Sequence, residues 1–278
     1  MSTVPFLRRR PASSGPALIR PALIGVVHLR ALPGAPRAQQ PLQAVIEFAV
    51  RDARALQLGG CNALIVENFG DVPFHPQSVP AETIAALSAA LLSIRAAVHG
   101  LPLGVNVLRN DARAALGIAA ALDLDFFRVN VHTGAAVTDQ GIIEGRAHET
   151  LRERARLGAR AAILADAQVK HATPLSRESL AEAVADIAHR SLADAVIVSG
   201  RATGSPPTPE AVAQAALAAG SVPVLLGSGL TQENARELLE HASGAIVGTS
   251  LKRGGDVAER VDLARVKKLA ALFRSLRS

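Results

Sequence analysis

Glu67, Asp166 and His28 are the residues of this chain best suited to moving a proton. Asp166 closes the run Ala-Ala-Ile-Leu-Ala-Asp. A carboxylate after so apolar a segment is costly to bury unless it is paired or used. It suits a general base, a metal ligand or an acceptor for a sugar hydroxyl, and equally a structural partner for Arg128 or Lys170. Glu67 also ends an apolar run and is followed by Asn68 and Asp71. His28 ends a third, as an acid–base group or as a hydrogen-bonded core histidine. Glu67 and Asp166, with His28 beside them, are the candidates for a divalent metal, but their spacing carries no short-range ligand signature. No other cofactor is indicated. Lys170 has the amine for Schiff-base chemistry, although a loop lysine more often serves a salt bridge or a phosphate.

The same pattern recurs along the chain, since each apolar run delivers polar atoms or glycine at its end. Asn106 is followed by Arg109 and Asp111, while Arg128, Asn130 and His132 share one alternation parity. Ser199 ends a sixth run, and Asp139 lies in the long segment 133–145, which reads as a lid or as a plain β-ribbon. Asn68, Asn106, Arg109, Asp111, Arg128, Asn130, Asp139 and Ser199 are the expected substrate-binding residues, able to orient hydroxyls or steady negative charge. Two later turns, Gly227-Ser228-Gly229 and Gly248-Thr249, suit a phosphate, because glycine lets backbone N–H groups approach an anion. Lys252 is near enough to help and equally suits a solvated surface. Cys61 begins an apolar run without a local His partner and reads as an inert core thiol.

Which elements would bring these residues together? Eight strand-length apolar runs occupy 22–28, 63–67, 103–107, 126–131, 161–166, 195–199, 222–226 and 244–247. They are nearly continuous in Val, Ile and Leu, as buried parallel strands are. Between them lie Ala- and Leu-rich segments of helix length at 42–58, 81–98, 112–122, 144–157, 177–189, 209–219, 232–241 and 262–276, with Thr208 and Thr231 as caps. Eight alternations in one α/β chain predict a single (β/α)8 barrel, ahead of an open doubly wound sheet, which would need a Gly-rich turn after the first strand. In a barrel the strand ends share one mouth, and phosphate sites follow strands seven and eight, where the two glycine turns fall.

Composition narrows the partners. The chain has 278 residues, 49% hydrophobic and 3% aromatic, with one Cys. Disorder as the main state, a disulfide framework and a cysteine-held metal cluster are excluded. The formal charge of +6 is local: six arginines and no acid precede Glu47, and 24 charges of each sign follow. A body with no net charge has no polyanion footprint, so no nucleic acid is expected. Residues 1–20 read as a poorly ordered basic Pro/Ser-rich arm and 21–278 as the barrel, with Arg30 and Arg37 on its first loop, able to face the mouth. The arm is a tail, an overlong start or a targeting segment, and it lacks the apolar run of a secretory signal. No run of 18 apolar residues occurs, so no transmembrane helix is expected, and the location is read as cytoplasmic.

The strings Val27-His28-Leu29-Arg30-Ala31-Leu32-Pro33-Gly34, Glu67-Asn68-Phe69-Gly70-Asp71-Val72-Pro73-Phe74, Gly104-Val105-Asn106-Val107-Leu108-Arg109-Asn110-Asp111 and Thr138-Asp139-Gln140-Gly141 resemble the BtpA/SgcQ family, from about Leu23 onward. The resemblance implies a ribulose-phosphate-binding type of barrel. It implies two functional settings as well: one branch is linked to photosystem I biogenesis as a membrane-associated extrinsic protein, and another is encoded with sugar metabolism. Two functions of different class follow. One is an enzyme on a small phosphorylated sugar or related metabolite, of isomerase, epimerase or lyase type. The other is a non-catalytic or peripheral-membrane assembly factor whose basic leader meets anionic lipid. A homo-oligomer is compatible with both.

Overall fold

The computed structural model describes Val4, Leu7 and residues 21–168, 172–200 and 205–276. Its strands, in chain order, are β1 (Ala22–His28), β2 (Ala63–Glu67), β3 (Leu103–Asn106), β4 (Phe126–Val129), β5 (Ala135–Thr138), β6 (Gly141–Glu144), β7 (Ala162–Asp166), β8 (Ala172–Pro174), β9 (Ala195–Val198), β10 (Val224–Leu226) and β11 (Gly244–Val247). Eight of them close a parallel barrel in the order β1-β11-β10-β9-β7-β4-β3-β2. The helices are α1 (Leu42–Gly59), α2 (Ala81–Ala97), α3 (Ala112–Ala121), α4 (Ala147–Arg156), α5 (Leu180–Ala185), α6 (Pro209–Ala219), α7 (Ala235–Leu238) and α8 (Leu263–Ser275). The expected (β/α)8 barrel is therefore the fold.

Strand alternation divides the core in two. Outward residues such as Leu23, Leu64, Val105, Phe127, Ile163 and Val196 join the helices in one large apolar shell. Inward residues, among them Ile24, Ile65, Phe126, Leu164, Ile197, Leu225 and Ile246, fill the barrel itself. A Cβ at Gly104 would lie 2.3 Å from the Phe126 ring, so that glycine makes room for the one aromatic in this inner cluster.

The floor of the barrel is built from small residues. Ala22, Ala63, Ala162 and Ala195 are the inward positions where their strands begin or nearly begin, and they leave volume that interiors do not tolerate empty. Val4 and Leu7 fill it, at 2% and 4% exposure. Val4 and Leu7 are the residues of the leader that the structure describes, and there an apolar pair meets an under-filled floor.

Several elements are shorter than the sequence suggests. The segment 144–157 starts its helix only at Ala147, because Gly141–Glu144 pairs with β5. The stretch 177–189 is α5 followed by a π turn, Asp186–Arg190, and Ser179 closes a capping box with Glu182. The stretch 232–241 holds only the four residues of α7. Thr231 is not its cap: the Thr231 amide donates to the Asn234 side chain at 2.8 Å, which tightens the turn ahead of the helix. Thr208 caps α6 as expected, accepting from the Ala211 amide. The segment 133–145 is a β-ribbon that also pairs with β8, forming a small antiparallel sheet beside the barrel mouth.

Candidate functional site at the barrel mouth

The register of the barrel strands sets the site. His28 of β1 lies opposite Glu67 of β2, Glu67 opposite Asn106 of β3, and Asn106 opposite Arg128 of β4. These four side chains form one inward-facing row across four neighbouring strands. Asp166 ends β7, and Asn130 follows β4 with the same parity as Arg128. On the other side of the mouth the inward positions after β10 and β11 are Gly227 and Gly248. Six polar side chains around the ring and two glycines opposite leave an open cavity of about 900 Å³.

Arg128 is the hub. Its Nε and Nη2 each donate to Asp166 at 2.8 Å, a bidentate pair, and its Nη1 reaches Glu67 Oε1 at 3.3 Å. Burial opposes a charged guanidinium, but Asp166 and then Glu67 outweigh it and hold the arginine proton more tightly than usual. Asn106 donates to the same Glu67 oxygen at 3.1 Å, and Asn130 donates to Asp166 Oδ2 at 3.1 Å. Both oxygens of Asp166 are thus engaged. Among the described residues, Glu67 uses only Oε1 for these bonds, and it lines the cavity. Of the two carboxylates, then, Asp166 holds the arginine while Glu67 faces the space a ligand would occupy.

Arg109 lines the cavity too. Burial lowers its pKa, against the pull of Asp166, Asp139 and Glu67. Asp139, which adds to that pull, sits in the turn of the β5–β6 ribbon, and no ribbon residue lines the cavity. His28 packs edge-to-face on Phe69 at 4.8 Å, and its ring presses on Gly248, where a Cβ would come within 2.4 Å of Cε1. Phe69, Val72 and Phe74 form an apolar wall from the loop after β2.

The opposite wall is backbone. Gly227, Ser228, Gly229, Gly248 and Thr249 all line the cavity. Gly227 is needed there because a side chain would strike Ser199 Oγ and Ile197. Gly229 has φ +70°, and a Cβ would run into the Pro206 backbone at 2.3 Å. The chain after β11 makes a short 3₁₀ turn, Thr249–Leu251. Arg265, in the first turn of α8, reaches this wall and donates to the Ser250 carbonyl at 3.3 Å. Its sequence signal was a cation in the first turn of a helix, where the dipole disfavours one.

The BtpA family model matches residues 19–275. The chain belongs to the BtpA family. The photosystem I biogenesis protein BtpA of Synechocystis sp. is 47% identical over 257 residues, covering 92% of this chain and 89% of that one. An uncharacterised protein of Thermococcus kodakarensis is 48% identical over 258 residues, covering 93% of this chain and 97% of that one. In three dimensions the barrel of this chain resembles phosphoribosyl anthranilate isomerase of Thermus thermophilus, with a TM-score of 0.56 at 15% identity, covering 92% of this chain and all of that one. That likeness concerns the fold alone.

Other residues singled out from the sequence take different places in the barrel. Asn68 bonds Asp71 at 3.0 Å and accepts from the Leu108 amide at 2.7 Å, tying two loops together. Asp111 accepts from the Ala114 and Val79 amides, so it caps α3 and holds the loop before α2. Both carboxylate and amide serve the scaffold behind the mouth. His132 turns its Nε2 to the Ser191 carbonyl, away from the cavity. Arg30 stacks on Phe48 of α1 at 3.9 Å and does not line the cavity. Lys252 is neither a phosphate donor nor solvated: it is fully buried and paired with Asp52 of α1. Lys170 and His171 lie outside the described residues. For a metal, Arg128 occupies the position between Glu67 and Asp166 that a dication would take, and the described residues hold no cluster of three ligating side chains. Cys61 is buried, and burial pushes its thiol up to about 12, which keeps it protonated and unreactive.

Proposed function

We propose that this BtpA-family barrel is an enzyme acting on a small phosphorylated sugar or a related metabolite, by isomerase, epimerase or lyase chemistry. The observation that carries the reading is the two-sided cavity. One wall is a carboxylate–guanidinium row, and the other is backbone from two glycine turns with Arg265 beside it. A phosphate fits the second wall, where N–H groups and a guanidinium can receive it. The carbon skeleton then lies along the row His28, Glu67, Asn106. Glu67 would take or return a proton, His28 would serve as its partner, and Arg109 and Arg128 would steady the charge that develops on oxygen.

Calorimetric titration with pentose and hexose phosphates, against the unphosphorylated sugars, tests it. Phosphorylated sugars should bind and their parent sugars should bind at least about tenfold more weakly, in line with charge-assisted bonds to phosphate. Arg265→Glu should erase that preference. Gly229 is a poor site for this test, because its positive φ means that any side chain strains the loop. Equal binding of both sugar classes by the native protein would sink the phosphate assignment.

The assembly-factor alternative rests on the family resemblance, with the name of the Synechocystis relative, and on the basic leader. Among the described residues no helix is long and apolar enough to cross a membrane.

A further inference from the structure

Among the described residues, one buried polar atom of the mouth has no partner and belongs to a side chain that lines the cavity. Asn130 is 4% exposed and lines the cavity, and its Nδ2 donates to Asp166 Oδ2 at 3.1 Å. That bond decides which way the amide points. Reversing it would set Oδ1 against a carboxylate oxygen, acceptor against acceptor. Oδ1 is therefore held on the far side of the amide, buried and unbonded. An amide oxygen accepts and cannot donate, so whatever satisfies it must bring an O–H or N–H. A second atom lies nearby, on a half-buried side chain that does not itself line the cavity. Ser199 Oγ is buried without a partner, against Gly227. Ser199 follows Ile197 by two residues, and Ile197 is the register partner of Asp166. Asn130 follows β4 and Ser199 follows β9, with β7 and its Asp166 between them.

Native interiors rarely leave such atoms unpaired, because each costs free energy that a partner would recover. Neither atom serves the scaffold. Arg128 and Asp166, between them, already use their hydrogen bonds on each other and on Glu67 and Asn130.

We propose that Asn130 Oδ1, at the cavity wall, is a hydroxyl-recognition point for a polyol chain, with Ser199 Oγ on the far side of Asp166 as a second. The ligand is then a polyhydroxylated carbon skeleton and not a deoxy or purely acyl one. This rests on reading the mouth as a ligand site, and it specifies the part of the ligand remote from phosphate. A site built around unpaired polar atoms discriminates strongly against an analogue that lacks the matching group.

The test compares sugar phosphates with their singly deoxygenated counterparts, one hydroxyl at a time, by calorimetry on the full chain. At least one deoxy position should lower the native protein's affinity by about tenfold or more. Asn130→Leu, which keeps the volume but removes both polar atoms, should reduce that ratio to within about twofold. Thr249→Val, on the phosphate wall, should weaken both members of each pair and leave the ratio alone. A native protein that binds every deoxy analogue as tightly as its parent overturns the proposal, and would mean that resident water satisfies these atoms. A ratio that survives in Asn130→Leu overturns it for that residue, even if phosphate binding stands. Conversely, hydroxyl discrimination among unphosphorylated sugars would uphold it while the phosphate reading falls.

Discussion

Arg128 couples two carboxylates of unequal role, and that inequality makes distinct predictions. Asp166→Asn removes the bidentate partner of a buried guanidinium, so a loss of about 3–5 kcal/mol is expected in urea denaturation. Glu67→Gln keeps an oxygen to accept from Arg128 and Asn106, so stability should change much less. Solvent-deuterium incorporation into a bound sugar phosphate, followed by NMR, should instead drop by about a hundredfold or more in Glu67→Gln. Equal losses of stability in the two variants would contradict the division of labour. His132 makes a pH prediction. Burial, with Arg154 adding to it, lowers its pKa below the 6.5 of a free imidazole, despite the Ser191 carbonyl. The unfolded chain therefore binds this proton more readily than the folded one. The contribution of the neutral ring is complete above about pH 6.5 and is lost as pH falls below it. Thermal midpoints should decline from pH 7.5 to pH 5, and His132→Gln should flatten part of that slope.

At the level of elements, Val4 and Leu7 tie the start of the chain to the barrel floor. Leu7→Asp puts a charge among Ala22, Ile24 and Phe126, and should lower the thermal midpoint clearly, as buried unpaired charges do. A midpoint unchanged by Leu7→Asp would show that the floor does without the leader. The Lys252–Asp52 pair makes a similar link between the chain after β11 and α1, with the Val261 amide also donating to Asp52. Lys252→Ala leaves Asp52 buried with one donor fewer and should cost about 3–5 kcal/mol. The reading of elements from the sequence succeeds where a signal is continuous and ends sharply. β1, β2 and β11 match their apolar runs because an ionisable residue or a glycine stops each one. It overshoots where tertiary pairing competes, as at Glu144, whose helix-friendly neighbourhood is claimed by the β5–β6 ribbon. Lys252 was misjudged because its partner lies 200 residues earlier, beyond any local pattern.

For the molecule as a whole, ligand binding should appear as stabilisation. Under the proposed function, a sugar phosphate at a hundred times its dissociation constant should add about 2.7 kcal/mol. For a domain of this size that raises the thermal midpoint by roughly 5–10 °C. The balanced charge of the body predicts no binding to duplex DNA at physiological salt, measurable by fluorescence anisotropy. By itself, the amino-acid sequence determined the eight alternations, the barrel they close and the polar character of the mouth, because strand length, helix propensity and strand-end chemistry are local properties. It also identified both carboxylates, the arginine and the two glycine turns. Only the tertiary structure decided which of them meet. Register aligned His28, Glu67, Asn106 and Arg128 in one row, put Arg128 between Glu67 and Asp166, and brought Arg265 to the glycine wall. The same geometry withdrew Asn68, Asp111 and Lys252 into the scaffold. The reason is physical: a hydrogen bond or ion pair depends on separations of about 3 Å, and the closure of a barrel sets those separations between residues that the chain itself keeps far apart.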